Sequence, residues 1–488
     1  MTLKRVARWL ALGIAAGAAW IGFMAPAQAI PVFARQTGHN CQACHISYPE
    51  LTAYGREFKL NGYTFGEAQP IPLAFAMMAE YTRPQDGTDH STGEAICNSV
   101  GASCANGQIA QWSLFAGGRL SENVGLFWQY SSANYPISSG ATNPNGNGAS
   151  PTPGTITGAQ DNTELRVVHR FNMGSDTLED DTVVGFNMNN NMTMEDVWNA
   201  VPAWRFPWFP YNGVGFGPVA SPAIDGMFGQ RAIGYGAYIW TQKTWYAQLS
   251  LYRKPWGAMS WFVNGNGNVE NAANQPSDVI DGNAPYVRVA YSKDWGYSSA
   301  EVGAFYLNAK TYYDSNALDN SQTQTYKDLG FDAQYQFNKS EPWVVSADAS
   351  YIHESNDLSG WQAAAIAGGA PVMSSTTHTI NEFNIKGTVY YNRKYGLSVG
   401  YQNISGSNDG LLYGSSALGS NAGGTSANGS PATSDWMIEL NYLPMQDLRF
   451  SLFYQLYTKL NGGSSNFDGF GNSAHGQSTL AGAIWWVF

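Results

Sequence analysis

One short motif near the start of the chain carries most of its potential chemistry: Cys41-Gln42-Ala43-Cys44-His45. Two thiols separated by two residues can add to the vinyl groups of a haem, and the histidine that follows becomes the proximal iron ligand. The alternative is a reactive or chance pair of cysteines that happens to precede a histidine. The motif lies about a dozen residues after an export signal, and bacteria attach haem c after export. The sequence therefore predicts one covalent haem c on Cys41, Cys44 and His45.

The export signal occupies residues 1–29. Three basic residues lie within the first eight positions, an apolar run follows at 9–24, and Ala27-Gln28-Ala29 offers the small residues that a signal peptidase cleaves after. The alternative is an uncleaved anchor, but the run is short for a spanning helix, which needs roughly 20 apolar residues. We expect a cleaved signal peptide and a mature chain that begins at Ile30.

The composition is unusual for a soluble protein. Charged residues make up 12% of the chain, against about 25% in ordinary soluble domains, and aromatic residues make up 14%. A transmembrane β-barrel accommodates both features, because its outer face must be apolar while its lumen and loops are polar. The balance of 25 Lys and Arg against 36 Asp and Glu argues against a nucleic-acid partner. The expected surroundings are the lipids of an outer membrane.

Sixteen segments after residue 70 alternate apolar and polar residues with a period of two, as half-buried strands do. An even number near sixteen is typical of bacterial outer-membrane barrels. The predicted strands are 71–81, 108–120, 124–133, 163–172, 182–192, 231–241, 244–254, 283–293, 300–312, 325–337, 343–354, 377–391, 396–406, 435–442, 448–460 and 477–488.

The connections between these segments alternate in length. Short polar turns follow the even strands, as at 120–123 and 242–243, whereas long Gly-, Ser- and Asn-rich loops follow the odd strands, as at 134–162 and 407–434. Short periplasmic turns and long extracellular loops produce this asymmetry in outer-membrane barrels. The predicted fold is all-β: an up-and-down barrel of about 16 strands over 70–488, with both chain ends in the periplasm and the last strand paired with the first.

The segment 30–69, which carries the haem motif, is too small to bury a core of its own. We expect it to form a small helical haem segment that plugs the barrel lumen. A second unusual region is the loop Trp198–Tyr211, which is too aromatic for exposure to solvent. We expect this loop to fold into the barrel over the plug, the alternative being contact with a neighbouring protein or lipid A.

The sixth iron ligand is left open by the sequence. Met78 is the first candidate, because the alternation of the first strand turns it toward the lumen shortly after the haem segment. A methionine ligand would raise the reduction potential relative to a second histidine. Met192 and Met194 are rivals at the start of a long loop, and His39 is too close to the attachment site. Simple filling of the lumen is the alternative role of Met78.

The remaining two cysteines, Cys97 and Cys104, are separated by six residues in a Gly-, Ser- and Asn-rich segment of an exported chain. An oxidising compartment favours a disulfide between them. A metal site is the alternative, but suitable ligands are lacking nearby. We expect the disulfide in the first extracellular loop.

The N-terminal residues closely resemble one family. The runs Ile30-Pro31-Val32-Phe33-Ala34-Arg35-Gln36-Thr37-Gly38, Cys41–His45, Pro49-Glu50-Leu51 and Gly55-Arg56-Glu57-Phe58-Lys59 are similar to the start of the fused monohaem cytochrome–porins. These are the outer-membrane Fe(II)-oxidising cytochromes of acidophilic iron-oxidising bacteria. The resemblance extends to the Trp198–Tyr211 loop and, as architecture, to the whole barrel.

The resemblance implies a function and a set of site residues. Aqueous Fe(II) would give up one electron at the outer surface, and the electron would reach periplasmic carriers such as a blue-copper protein or soluble c-type cytochromes. The motif residues carry over as haem ligands. Arg35, Gln36 and Thr37 carry over as haem contacts, with Arg35 a partner for a propionate. The family gives no iron-binding or catalytic residues that can be placed here, and whether the activity is enzymatic iron oxidation is left open.

Two other readings remain. The first is a porin whose haem plug regulates diffusion or serves another electron donor, such as a reduced sulfur compound. The second is a structural barrel in which the haem only aids folding. An open porin predicts a lumen lined by opposed charges, whereas this chain offers few charges.

Overall fold

A computed structural model describes residues 32–90, 93–95, 106–136, 159–172, 181–200, 216–263, 279–313, 318–339, 342–367, 373–414 and 426–488. The expected signal peptide and the expected Cys97–Cys104 disulfide lie outside these residues, as does most of the aromatic loop, 201–211. Within the described part of the chain, no helix is both long enough and apolar enough to cross a membrane.

The described residues form a closed antiparallel barrel of sixteen strands, as predicted. Consecutive strands pair along the chain, and the last strand pairs with the first. The strands are β1 Leu73–Pro84, β2 Asn106–Arg119, β3 Val124–Pro136, β4 Ala159–Asn172, β5 Asp181–Asn189, β6 Ile233–Thr241, β7 Trp245–Arg253, β8 Ala284–Trp295, β9 Ser298–Tyr312, β10 Thr323–Asn338, β11 Trp343–Asp357, β12 Thr377–Tyr391, β13 Tyr395–Gly406, β14 Thr433–Met445, β15 Leu448–Lys459 and β16 Thr479–Val487.

In the described part of the barrel, the strands present an apolar outer face and a largely polar inner face. On β10, Leu329 and Phe331 are exposed on the outside, whereas Asp328 and Asp332 are buried in the lumen. This follows from the period of two, which sends successive side chains to opposite faces. Paired aromatic rings such as Trp343 with Tyr391 lie near one rim. An apolar outer band with an aromatic girdle is the surface of an outer-membrane β-barrel.

The connections sort by length as predicted. The turns after even strands are short, as at 242–244 and 392–394, and the loops after odd strands are long, as at 190–232. The first set of connections lies at one end of the barrel and the second set at the other, because all strands are antiparallel. We call these the short-turn end and the long-loop end.

The seam of the barrel joins the two ends of the strand sequence. The backbone N–H of Phe488 donates to the carbonyl of Phe75 at 2.7 Å, and the N–H of Phe75 donates to the carbonyl of Phe488 at 2.6 Å. Their rings lie 5.0 Å apart between centroids. The apolar last strand therefore has no free edge, as expected, and closure removes the aggregation risk of an unpaired edge.

The N-terminal segment lies inside the barrel. It contains three short helices, α1 Val32–Thr37, α2 Cys41–Cys44 and α3 Ala53–Leu60. The hydroxyl of Tyr238 on β6 donates to the carbonyl of Leu60 at 2.5 Å. The expected plug is confirmed.

Arg56 on α3 makes several buried polar contacts with the barrel wall. Its guanidinium donates to the side-chain oxygens of Gln334 at 2.8 Å and Gln336 at 3.0 Å, and to the hydroxyl of Ser299 at 2.5 Å. These acceptors lie on β9 and β10 and face the lumen. A buried guanidinium requires this many acceptors, because an unsatisfied charge in a protein interior is costly.

The lumen is also filled from the long-loop end. The backbone N–H groups of Ala223 and Ile224, in the loop between β5 and β6, donate to the carboxylates of Glu354 at 2.6 Å and Asp328 at 2.8 Å. Ala223 and Ile224 also belong to a buried apolar cluster that includes residues of the helix α5, Ser359–Ala367. Loop backbone therefore enters the lumen and is anchored to the wall.

The N-terminal plug and the loop between β5 and β6 contact each other inside the barrel. A further helix, α4 Met192–Glu195, places the Met194 carbonyl against the ammonium group of Lys59 on the plug. Trp198, the first residue of the aromatic loop, is buried against Tyr246. This part of the loop folds inward as expected.

A filled lumen leads to a first prediction. Purified full-length protein in a planar lipid bilayer should give no stable porin-sized conductance, because the plug and the inserted loop occupy the space through which ions would pass. Single-channel recording measures this. The control is the heat-modifiable electrophoretic mobility of the same preparation, which reports that the barrel is folded. Stable currents from folded protein would mean that the lumen is open.

Candidate haem-attachment site

The two motif cysteines lie on one turn of helix. The side chain of Asn40 caps α2 by accepting the backbone N–H of Ala43 at 3.0 Å, as N-cap residues do. Residues three apart on a helix share a face, so Cys41 and Cys44 project on the same side. Both are free thiols; Cys41 is buried and Cys44 is half-buried. Burial raises the pKa of the Cys44 thiol to about 12.

His45 follows α2 directly and begins a short ribbon, His45–Ser47 paired with Glu50–Leu51. Its Nδ1 atom lies 3.2 Å from the carbonyl oxygen of Pro49. In the tautomer that carries its proton on Nδ1, the ring donates to that carbonyl and keeps the Nε2 lone pair for a metal, as metal-binding histidines require. Burial lowers the pKa of the ring to about 4 despite hydrogen bonds to Pro49 and Glu50 that raise it. The neutral ring suits an iron ligand.

The motif docks against two turns of the short-turn end. In the turn between β14 and β15, the side-chain oxygen of Gln446 accepts the N–H of Cys41 at 3.1 Å, and its carbonyl accepts the hydroxyl of Tyr48 at 2.7 Å. In the turn between β12 and β13, Arg393 donates to the carbonyl of Gln42 at 3.1 Å. The candidate site therefore lies at the short-turn end of the lumen.

A close backbone approach holds the motif against α3. A Cβ atom on Gly55 would lie 2.2 Å from the carbonyl oxygen of Cys44, far below any real contact. Thr52 caps α3 by accepting the N–H of Gly55 at 3.1 Å, and its hydroxyl donates to the carbonyl of Ala43 at 2.5 Å. Glycine is required because only a hydrogen fits between these two elements.

Buried ion pairs hold the segment that follows the motif. Glu50 is fully buried and lies 3.1 Å from the ammonium group of Lys386 on β12. Arg449 on β15 donates to the carbonyl of Tyr48 at 3.2 Å and is itself paired with Glu439. Removing one partner of a buried pair is strongly unfavourable, so these contacts fix the orientation of the motif segment.

Two of the predicted haem contacts, Arg35 and Thr37, lie on α1. The guanidinium of Arg35 donates to the carbonyl of Leu73 and, at 3.4 Å, to that of Ile71. The Thr37 hydroxyl donates to the carbonyl of Phe33 at 2.9 Å. Their part in holding a haem stays a prediction.

Gln36 occupies a different kind of position. It is buried, and its amide donates to the carbonyls of Tyr63 at 2.6 Å and Phe65 at 2.7 Å, while its side-chain oxygen accepts the N–H of Arg119 at 2.8 Å. The side chain ties α1 to the end of the plug and to β2. The geometry gives Gln36 a structural part, and contact with a haem stays a prediction for it as well.

Met78 faces the lumen, as its strand alternation predicts. It is buried and packs with Ala483 and Trp485. The ring of Trp485 lies 5.8 Å from that of Tyr48, which lies 5.0 Å from the imidazole of His45. Trp485 and Tyr48 thus connect Met78 to His45 through a chain of contacts, and ligation stays a prediction.

The rival methionines lie elsewhere. Met192 packs in the apolar cluster beneath the long loops, and Met194 belongs to the same helix, α4. The motif docks at the opposite end of the barrel, so Met78 is better placed than either of them.

The arrangement as a whole fits a c-type haem. Two neighbouring thiols on one helical turn and an imidazole with Nε2 available are the donor set that such a group needs. Sequence reasoning identified these residues but missed Gln446 and Arg393. No local pattern marks them, because each is one of several polar residues in a short turn and gains its role only from the closure of the barrel.

No protein-family model and no curated protein matches the chain. A Salmonella typhi OmpF solved with daunomycin is 10% identical, covers 85% of this chain and 97% of its own, and has a TM-score of 0.44. A loop L8 deletion mutant of Vibrio cholerae OmpT, an outer membrane protein, is 8% identical over 85% and 98% of the two chains, with a TM-score of 0.39. The description of the fold rests on the strand pairing itself.

The Gly55 contact gives a second prediction. Gly55→Ala should destabilise the plug by about 1–3 kcal/mol, the usual cost of forcing extra volume into a packed site. The urea midpoint for loss of folded electrophoretic mobility, together with tryptic cleavage within the plug, measures the effect. Gly387→Ala on β12 is the matched control, because no atom lies within 4 Å of the added carbon. Equal midpoints for the two variants would show that the close approach does not exist.

Proposed function

We propose that the protein is an outer-membrane c-type cytochrome that oxidises extracellular Fe(II) and passes the electrons to periplasmic carriers. The short-turn end, which holds the motif and Phe488, faces the periplasm. The observation that carries the proposal is the pair of free thiols followed by His45, whose Nδ1 atom lies 3.2 Å from the Pro49 carbonyl oxygen, inside a filled barrel. A haem held there by Cys41, Cys44 and His45 supplies a one-electron Fe(III)/Fe(II) couple.

The electron balance of this function suits a closed barrel. Each aqueous Fe(II) loses one electron and stays outside as Fe(III), and one periplasmic acceptor, a blue-copper protein or a soluble c-type cytochrome, gains that electron. No atom has to cross the membrane. A filled lumen is therefore compatible with the activity, whereas a diffusion pore needs an open one.

The interior of the barrel supports a route for the electron. From the inserted loop toward the plug, the ring of Trp198 lies 5.1 Å from that of Tyr246, which lies 5.9 Å from that of Tyr238. Tyr238 then donates to the carbonyl of Leu60 on α3 at 2.5 Å. Electron tunnelling falls off less steeply through packed and hydrogen-bonded atoms than through gaps, so this packing favours transfer between the loops and the haem segment.

A third prediction tests the donor. Anaerobic Fe(II), mixed with the oxidised protein at the working pH of the organism, should convert the oxidised haem spectrum to the reduced one in a stopped-flow spectrometer. Cys41→Ala/Cys44→Ala should lack covalent haem on a denaturing gel stained for haem peroxidase activity. Replacement of the other two cysteines, Cys97 and Cys104, by alanine is the matched control and should keep the stain.

An unchanged oxidised spectrum with Fe(II) would contradict iron oxidation. Reduction by a sulfur compound such as sulfide, but not by Fe(II), would instead support the haem-plugged barrel that serves another donor. Loss of covalent haem from the wild-type protein would contradict both.

A fourth prediction concerns the sixth ligand. Met78→Leu keeps the volume of the side chain but removes its sulfur, so the variant should lose the low-spin ferric spectrum and shift in reduction potential if the thioether binds iron. Met77→Leu is the matched control, because Met77 lies on the same strand and faces outward. If the Met78→Leu variant keeps its spectrum and reduction potential, Met78 does not bind the iron and only fills space in the lumen.

A further inference from the structure

The outer wall carries a groove that the proposed function does not use. It crosses β6 to β9 and has a volume of about 500 Å³. Its floor is a row of side chains in register, Ala247 beside Val289 and Val289 beside Ala304. Two of the three are alanines, so the surface is lower here than on either side.

Two ridges of larger side chains border this row. Toward the short-turn end lie Trp245, Tyr291 and Val302, with the rings of Trp245 and Tyr291 packed edge to face at 4.8 Å. Toward the long-loop end lie Leu249 and Val287. Residues two apart on a strand share a face, so the ridges flank the floor on the same outer surface. The result is an apolar trough beneath the aromatic girdle.

A lysine lies just beyond the trough. Lys293 is two residues past Tyr291 on β8, so it points outward, and it is exposed. It forms no salt bridge with any residue that the structure describes. The side chain of the neighbouring residue Asp294 has the opposite orientation and interacts electrostatically with Arg56 in the lumen. An outward ammonium group at the level of an aromatic girdle lies where lipid phosphates are found.

We propose that this groove binds one acyl chain of a glycerophospholipid from the leaflet at the short-turn end, with the lipid phosphate on Lys293. The volume lies within the range of ligand pockets, roughly 300–1,000 Å³. The floor and ridges are apolar, as an acyl chain requires, and the cation complements the phosphate. The proposal does not depend on the identity of the electron donor.

Charge disfavours a second copy of the chain as the occupant. A two-fold contact would place this same surface on both partners, and thus bring Lys293 of each copy to an apolar interface. The outward positions of β6 to β9 carry no Asp or Glu that could pair with it. An unpaired buried ammonium group is costly, whereas a phospholipid supplies its own counter-charge.

Native mass spectrometry of the delipidated holoprotein, titrated with palmitoyl-oleoyl phosphatidylglycerol or phosphatidylethanolamine, tests the site. We expect one tightly retained lipid in the wild type. Ala247→Phe fills the trough and should abolish retention, whereas Ala349→Phe, an outward position on β11 outside the groove, should keep it. Lys293→Ala should weaken phosphatidylglycerol binding about fivefold, the effect of one cation near an anionic headgroup, and leave binding of the matching diacylglycerol unchanged.

Several outcomes would overturn the proposal. Retention that is the same in Ala247→Phe and in wild type would show that the groove holds no lipid. A dimer mass that disappears in Ala247→Phe would assign the groove to an interface between copies. Lys293→Ala is a surface change that leaves the apolar wall intact, so it can be tested even if Ala247→Phe does not fold. If Lys293→Ala binds phosphatidylglycerol as tightly as the wild type does, Lys293 does not bind the lipid phosphate and the proposal is contradicted.

Discussion

The hydrogen bonds of Arg56 join two parts of the chain that could not form this structure alone. The N-terminal segment has too few residues to bury a core, and an empty sixteen-stranded barrel would enclose an aqueous channel. With Arg56 against Gln334, Gln336 and Ser299, the polar wall becomes the set of partners that the segment lacks. Glu50 with Lys386 adds a buried ion pair to the same arrangement. These polar contacts, together with the apolar packing of Ile46 against Val344, Tyr390 and Leu443, set the position of the motif.

Much of this architecture is readable from local pattern. The period of two gives all sixteen strands and the inward face of Met78, and the alternation of connection lengths gives the two ends of the barrel. The misplacements are local. The prediction extended the fifth strand to residue 192, but β5 ends at Asn189, because Asn191 caps α4 and turns the chain. Because Met192 is apolar and follows the strand closely, it looks like a continuation of the strand unless the cap is recognised.

The docking of the motif was beyond sequence reasoning for a different reason. Gln446 lies 405 residues from Cys41 along the chain, and Arg393 has no feature that separates it from other basic turn residues. Their roles exist only once the barrel closes and brings the short turns around the plug. Gly55 is an intermediate case: the resemblance to a family marked its run, but the physical reason, contact with the Cys44 carbonyl, needs the fold.

The enclosure of the plug also depends on closure of the barrel. The wall residues that hold it come from strands far apart in sequence, including Tyr238 on β6, Gln334 on β10 and Arg449 on β15. These contacts are all in place only once the seam between Phe75 and Phe488 has formed. A haem attached through Cys41 and Cys44 would be enclosed by the same wall as the segment that carries it. The same covalent bonds would then keep the group on a segment that has no folded core of its own until the wall surrounds it.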